Sequence, residues 1–220
     1  MYASIRTAAF TVLAAFVVWA APVFGQASAQ DAEAFISENA QEVISTLQAL
    51  EQGEAQLDDV RADFRDRVQN LADVDRITNF VLGRYRRTAE SEQLSEFRDT
   101  FREYAFSVYE NELTNYAGQT LEVTGSVTRR PGDYIVETIV TGGPAGEEYE
   151  VNWRVLQGDD GDLRVVDVQV MGIWLAQTQR DQITSVIGNA RGDVSAATEL
   201  LRSKLREGDL PGAEDLEDAG

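Results

Sequence analysis

The residue types that most often perform catalysis are missing from this chain of 220 residues, which contains no histidine and no cysteine. Without histidine there can be no Ser-His-Asp triad, no imidazole base and no histidine metal ligand. Zinc sites in proteins rely mainly on cysteine and histidine, so a zinc site is not expected either. The groups that remain for chemistry are carboxylates, tyrosines and arginines.

Acidic residues at two places in the sequence are candidates for a metal-binding or catalytic site. Asp159-Asp160-Gly161-Asp162 resembles part of a calcium loop, but it lacks the full ligand pattern and the distal glutamate, so we interpret it as a polar hairpin. Asp167 interrupts an apolar strand. Together with Tyr134 it could form the acid–base pair of a small-molecule enzyme similar in outline to the ketosteroid isomerases, which are α+β rolls. The alternative is an Asp167 that faces water.

Arginines are grouped at two places in a chain whose net charge is −19. Arg84, Arg86 and Arg87 form one group, and Arg129 and Arg130 form the other. Guanidinium groups suit a phosphate headgroup or an acidic partner. A solvated face that is ion-paired with nearby glutamates has the same pattern, so both interpretations stay open. The overall acidity argues against nucleic acid and anionic membrane surfaces as partners.

The first 29 residues differ in composition from the rest of the chain. Arg6 is their only charge, residues 8–24 are almost wholly apolar, and Ala27-Ser28-Ala29 has the small-x-small form of a signal peptidase site. We predict a signal peptide over residues 1–29 that is removed after Ala29, with a retained membrane anchor as the alternative. Removal changes the net charge from −19 to −20, because only Arg6 is lost. The mature chain is then expected in the bacterial periplasm.

Apolar residues recur at helical spacing through the first half of the mature chain. Residues 31–50, 57–71 and 77–85 each carry one apolar stripe. A further helix is predicted to begin with Ser91 as its N-cap, and its stripe consists of Leu94, Phe97, Phe101, Tyr104 and Val108. The face of this aromatic helix touches either the protein's own core or a guest molecule, and periodicity does not separate the two.

Beyond Gly118 the apolar period changes from about 3.6 residues to 2. Four alternating runs at 121–127, 134–140, 149–155 and 163–170 are separated by turn residues, which is typical of an antiparallel meander with one apolar face. Two more helices follow, and residues 207–220 are predicted to be an acidic disordered tail. The predicted class is α+β, with a four-stranded antiparallel curved sheet covered by N- and C-terminal helices.

An ordered set of residues in the aromatic stretch resembles the MlaC family. The set consists of Val81-Leu82-Gly83-Arg84-Tyr85, Gln93, Phe97, Phe101-Arg102-Glu103-Tyr104, Tyr109 and Tyr116-Ala117-Gly118-Gln119. Later segments fall where the family has a tryptophan strand and a glycine-containing exit from the sheet, namely Val151-Asn152-Trp153-Arg154 and Met171-Gly172-Ile173. The resemblance covers about Ala34 to Leu205, which implies an MlaC-like phospholipid-binding domain over residues 30–206.

The resemblance implies a lipid carrier and not an enzyme. MlaC proteins are periplasmic phospholipid-binding proteins, also described as toluene-tolerance or auxiliary components of an ABC transporter. They exchange lipid between an outer-membrane lipoprotein complex and an inner-membrane ABC transporter with a hexameric lipid-binding ring, and so maintain outer-membrane lipid asymmetry. The acyl tails are expected in a cavity between sheet and helices, with the headgroup at the surface. We expect a monomer without a cofactor.

The motif match assigns six residues to the lining of the lipid cavity, namely Tyr85, Phe97, Phe101, Tyr104, Trp153 and Met171. Strand alternation extends the lining to Val155, Val168 and Val170, and helix faces extend it to Phe80, Val81, Val108, Trp174 and Ile183. In this interpretation the aromatic stripe forms one wall and the strand around Trp153 forms the opposite wall. The competing hypothesis is the enzyme that would use Asp167 with Tyr134.

Overall fold

The computed structural model describes residues 26–113, 118–142, 146 and 148–208, with the backbone alone at 109–113. Residues 1–25 of the predicted signal peptide (1–29) and residues 209–220 of the predicted acidic tail (207–220) lie outside the described residues. The described part of the chain begins with three helices, α1 (Ala29–Glu51), α2 (Leu57–Leu71) and α3 (Val74–Leu82). A 3₁₀ helix (Gly83–Arg87) and the long helix α4 (Ser91–Leu113) follow.

The described strands form one antiparallel sheet in the order of the sequence. They are β1 (Thr120–Arg130), β2 (Asp133–Thr141), β3 (Glu148–Gln157), β4 (Leu163–Val170) and β5 (Ile173–Trp174). Two helices complete the described chain, α5 (Leu175–Asn189) and α6 (Ser195–Glu207). The predicted α+β class with an antiparallel sheet is confirmed.

The prediction of four strands is wrong, because the sheet has a fifth, very short strand. The chain reverses at Met171 and Gly172, which both have positive φ angles, at 50° and 87°. Two positive φ angles in a two-residue connection match the right-handed twist of neighbouring strands. Ile173 can therefore pair with Val170. A methionine at such a position gives no turn signal, so the sequence pattern indicates only an exit from the sheet.

The strand register sorts the side chains into two faces. Tyr134 pairs with Val155, and Trp153 pairs with both Val136 and Val168, so these residues share one face, which we call the inner face. Register shifts interrupt β1 twice and the β3–β4 pair once. Such bulges bend the strands that carry them, in agreement with a curved sheet.

The described residues form two main apolar clusters, one on the sheet and one among the helices. The sheet cluster joins Ala32 and Ile36 of α1 to inner-face residues such as Tyr134 and Val155. The helical cluster joins α3, the 3₁₀ helix, α4, α5 and α6, and its buried members are Val81, Leu82, Tyr85, Phe97, Phe101, Tyr104, Ile183, Ile187, Val194, Ala197 and Leu201. Most of the aromatic stripe of α4 therefore packs among helices.

Residues just before α1 are bonded into the domain. Ser28 is the N-cap of α1 and forms a capping box with Asp31, in which Asp31 N donates to Ser28 Oγ at 3.2 Å and Ser28 N donates to Asp31 Oδ2 at 2.7 Å. Ala27 N donates to Gln157 Oε1 at 3.1 Å, and Ala27 O accepts from the Tyr134 hydroxyl. A cut after Ala29 would remove all of these bonds.

If the predicted leader is removed, we therefore expect the mature chain to begin upstream of Ala27, with a cut after Gly25, which also places a small residue directly before the cleaved bond. Loss of the Ser28 cap alone would lower the free energy of unfolding by about 1 kcal/mol. N-terminal sequencing of the exported protein checks this prediction. A mature chain that begins at Gln30 contradicts it.

Candidate functional site

Part of the inner face of the sheet is apolar and only half-covered. Trp153 and Val168 lie directly opposite each other, and Val170 pairs on one side with Val151 and on the other with Ile173. Trp153, Val168, Val170 and Ile173 are all half-buried, whereas Val136 and Val155 are fully buried nearby. We call the four half-buried residues the inner-face patch. It is a continuous apolar surface held by three neighbouring strands.

The polar groups under this patch are satisfied within the protein. Trp153 Nε1 donates to Thr138 Oγ1 at 3.1 Å, and Thr138 Oγ1 donates to the carbonyl oxygen of Val151 at 2.6 Å. Thr138 is buried, so this short chain of hydrogen bonds lies inside the sheet layer. A buried indole N–H needs such a partner. The Trp153 ring therefore brings no unpaired N–H to a guest, which suits acyl chains better than a polar substrate.

The residues assigned to the helical wall lie together in the helical cluster. Six of them are buried, namely Val81, Tyr85, Phe97, Phe101, Tyr104 and Ile183, and Val108 packs against them. Phe97 and Phe101 stack with ring centroids 5.8 Å apart. Trp153, Val155 and Val168 belong to the sheet cluster instead. The structure thus places the two proposed walls in two separately packed clusters.

The other assigned residues lie apart from both clusters. Val170 belongs to the inner-face patch, and Met171 is 50% exposed at the β4–β5 turn. Trp174 lies opposite Gln169, on the other face of the sheet from Val168. Phe80 is half-buried beneath the guanidinium of Arg180, whose central carbon is 4.7 Å from the ring centroid.

Asp167 and Tyr134 do not form an acid–base pair. Asp167 lies opposite Arg154 on the outer face of the sheet, whereas Tyr134 is on the inner face. Asp167 Oδ1 accepts from Ala176 N and Val168 N, each at 2.9 Å. Burial raises the pKa of Asp167, and these amide bonds and the charge of Arg154 act in the opposite direction without cancelling it. Asp167 anchors the first turn of α5, which accounts for a carboxylate in an apolar strand.

The acidic hairpin that resembled a calcium loop is held by an arginine. Arg164 pairs with Asp160 at 2.9 Å and with Asp162 at 3.5 Å, and its hydrogen bond lowers the pKa of Asp160. Within residues 26–113, 118–142 and 148–208, no cluster of His, Cys, Asp or Glu is arranged to hold a metal ion. In the same part of the chain no helix is both long and apolar enough to cross a membrane.

A second candidate site is an open cleft of about 690 Å³ between α3, the 3₁₀ helix and α5. It is lined by Asp73, Asp75, Arg76, Asn79, Phe80, Gly83, Arg84, Arg86, Arg87 and Arg180. We call it the arginine cleft. The sequence identified Arg84, Arg86 and Arg87 as a group. It did not identify Arg76, which is separated from that group in the sequence, or Arg180, which only tertiary packing of α5 beside α3 brings to the cleft.

Comparison with known proteins places the chain in a family. The profile of the MlaC protein family matches residues 37–203, which run from α1 into α6. This chain belongs to the MlaC family. The resemblance read from the aromatic stretch is thereby confirmed.

A solved structure supports the fold of this MlaC family member. It is a phospholipid-binding protein from Ralstonia solanacearum in complex with a phospholipid, and it matches with a TM-score of 0.70 at 24% sequence identity. The match covers 80% of this chain and 97% of the other. No curated protein sequence matches the chain significantly. At this identity the structural likeness establishes the shared α+β architecture.

Proposed function

We propose that this member of the MlaC family is a non-enzymatic phospholipid carrier. The observation that carries the proposal is the inner-face patch, a half-covered apolar wall whose indole N–H is already bonded inside the sheet. Membership of the MlaC family and a fold shared with a phospholipid-binding protein support it. Such a wall suits acyl chains, because it offers apolar contact without unpaired donors.

The energetics of lipid transfer explain why a carrier of this design is sufficient. A phospholipid with two acyl chains has on the order of 30 methylenes, and each contributes about 0.8 kcal/mol when it leaves water. A lipid cannot cross an aqueous gap alone at a useful rate against a cost of that size. A protein that replaces the apolar surroundings of the tails removes most of the cost, and no catalytic group is required.

We propose that the tails enter between the inner-face patch and the helices. The sheet and helical clusters are packed separately, so they can part without opening either one. The sheet would contribute Trp153, Val168 and Val170. The opposite side would be formed by the α3 and α5 residues nearest the sheet, with Phe80 as the assigned contact, whereas Ile183 is buried inside the helical cluster. The buried aromatic residues of α4 would support this wall from behind.

The cellular role follows from the family as a proposal. The carrier would act in the periplasm after removal of its leader. It would exchange phospholipid between an outer-membrane lipoprotein complex and an inner-membrane ABC transporter with a hexameric lipid-binding ring. The strongly acidic surface, with a net charge of −19 for the whole chain, should guide it toward basic docking surfaces on these partners.

The test is the lipid content of the purified protein. We expect organic extracts of the exported protein, purified without detergent, to contain near-stoichiometric phospholipid by mass spectrometry and phosphorus assay. The protein should also move labelled phospholipid between two vesicle populations, whereas a heat-denatured sample should not. A protein that is lipid-free as purified and transfers no lipid would contradict the proposed function.

A further inference from the structure

The arginine cleft concentrates positive charge in a strongly acidic protein. It is lined by five arginines and two aspartates, whereas the whole chain has a net charge of −19. Both aspartates already have partners, because Asp73 pairs with Arg76 at 2.9 Å and Asp75 pairs with Arg102 at 3.4 Å. The acids of the cleft are therefore not available to neutralise its other arginines.

Four of the cleft arginines have no acidic partner among the described residues. Many arginines of this chain pair with a carboxylate, as Arg67 does with Asp63. In the part of the chain that the structure describes, no carboxylate lies within 4.0 Å of the remaining cleft arginines, Arg84, Arg86, Arg87 and Arg180. Like charges that converge without a counter-charge are unfavourable, so the arrangement calls for an anion.

Two of these guanidinium groups are held in place by aromatic rings. Arg180 lies over the ring of Phe80 at 4.7 Å, and its Nη1 donates to the Phe80 carbonyl at 3.3 Å. Arg84 lies over the ring of Tyr85 at 4.8 Å, and its Nη2 donates to the Tyr85 hydroxyl at 2.7 Å. A guanidinium has five N–H donors, so each group keeps most of them for a ligand. Stacking also reduces the entropy lost on binding.

A glycine allows the two sides of the cleft to approach. Gly83 has a φ of 55°, and a Cβ added there would lie 3.3 Å from Thr184 Cγ2 and 3.4 Å from Arg180 Nε. Glycine at this position therefore suits both the positive φ and the close approach of the 3₁₀ helix to α5. Behind the cleft, Arg98 Nη2 donates to Asn79 Oδ1 at 3.2 Å, and Arg98 Nε is buried with no partner among the described residues. Arg98 thus adds positive charge behind the cleft wall.

We propose that the arginine cleft binds a phosphate group. Planar guanidinium forks match phosphate oxygens in bidentate geometry, and several of them can bind the oxygens of one phosphate group. The phosphate can come from a lipid headgroup or from free phosphate in solution. The lipid source rests on the proposed carrier function, whereas the anion chemistry does not. The cleft volume of about 690 Å³ leaves room for the rest of a headgroup beside the phosphate.

The experiment titrates the full exported protein with inorganic phosphate and follows binding by calorimetry and by the arginine Nε–H signals in NMR spectra. We expect saturable binding that shifts the signals of Arg84 and Arg180. The double variant Arg86→Gln/Arg87→Gln should bind phosphate about tenfold more weakly, since it loses charge-assisted hydrogen bonds. The matched control Arg191→Gln/Arg206→Gln removes the same charge from residues outside the cleft lining and should bind within about twofold of the unchanged protein.

A second arm identifies the source of the phosphate. The protein is loaded with phosphatidylglycerol or with diacylglycerol, which has the same chains but no phosphate, and is then titrated again. If only the phosphatidylglycerol form stops binding phosphate, the headgroup occupies the cleft. If both forms still bind phosphate through the cleft arginines, the ligand is free phosphate.

Two results would overturn the inference. One is a protein that shows no saturable phosphate binding in any form and whose cleft variant loads phosphatidylglycerol as well as the unchanged protein. The other is equal weakening by the cleft and control variants, which would indicate bulk charge. Neither result would contradict the proposed carrier function. That proposal is contradicted instead by a purified protein that contains and transfers no phospholipid.

Discussion

Replacing Val168 with glutamate is expected to abolish phospholipid co-purification while the protein still folds. Val168 lies in the middle of the inner-face patch, directly opposite Trp153, and it is half-buried. A glutamate there can stay hydrated in the lipid-free protein. Against acyl chains its ionised carboxylate would be desolvated at a cost of several kcal/mol. We expect the phospholipid content to fall by at least about tenfold, since about 1.4 kcal/mol already corresponds to that factor.

The matched control is the same substitution on the other face of the sheet. Val127 on β1 pairs with Ile135, which lies between the inner-face residues Tyr134 and Val136 and therefore points to the outer face. Val127 is 50% exposed. Val127→Glu should leave both lipid content and thermal stability unchanged. The measurement is phospholipid per chain by mass spectrometry, with circular dichroism to confirm folding. Equal lipid content in folded Val168→Glu and unchanged protein would place the tails elsewhere.

Val168 is a sharper probe than the aromatic residues of α4. Phe101 is 4% exposed and stacks on Phe97 inside the helical cluster. Truncating such a residue to alanine costs about 3–5 kcal/mol, so a charge there would unfold the helices and remove bound lipid for that reason alone. The informative substitution is therefore on the strand and not on the aromatic helix.

The sequence predicted the elements of the fold that have a repeating apolar pattern. The apolar period predicted the helices and four of the strands, and the register places Trp153 and Val168 opposite each other on one face. Periodicity identified the buried stripe of α4 as well, but not its neighbours. Nothing local in Phe97 or Phe101 indicates whether the opposing surface is a sheet, a helix or a lipid.

The features that sequence reasoning missed depend on single contacts between distant segments. Asp167 looked like a chemical group because its bond to Ala176 N is formed only after α5 docks on β4. The sequence predicted only part of the arginine cleft. Arg84 and its neighbours are adjacent in sequence, whereas Arg180 lies beside them only because α5 packs close to Gly83. The fifth strand depends on a positive φ at Met171, and a methionine does not predict a positive φ.

A buried ion pair at the start of β2 is expected to be a large contributor to stability. Asp133 is 2% exposed; Arg154 Nε lies 3.1 Å from its Oδ1 and Arg154 Nη2 lies 3.0 Å from its Oδ2. Arg130 approaches Oδ2 at 3.2 Å. Burial on its own would raise the pKa of Asp133. The hydrogen bonds and charge of Arg154, together with the charges of Arg129 and Arg130, outweigh burial and hold this pKa below its ordinary value.

Asp133→Asn should therefore lower the free energy of unfolding by about 3 kcal/mol at pH 7, because it leaves Arg154 without its counter-charge. A depressed pKa means that the ionised carboxylate favours the folded state, so its contribution is complete above the unfolded pKa of about 3.9. The contribution is lost as the pH falls through the lower, folded-state pKa. Urea unfolding of both proteins between pH 7 and pH 3 should show the difference shrinking at the acid end. Asp160→Asn, on an exposed ion pair with Arg164, is the control and should change stability little. A difference for Asp133→Asn that stays constant down to pH 3 would show that the carboxylate's shape, and not its charge, stabilises this corner of the sheet.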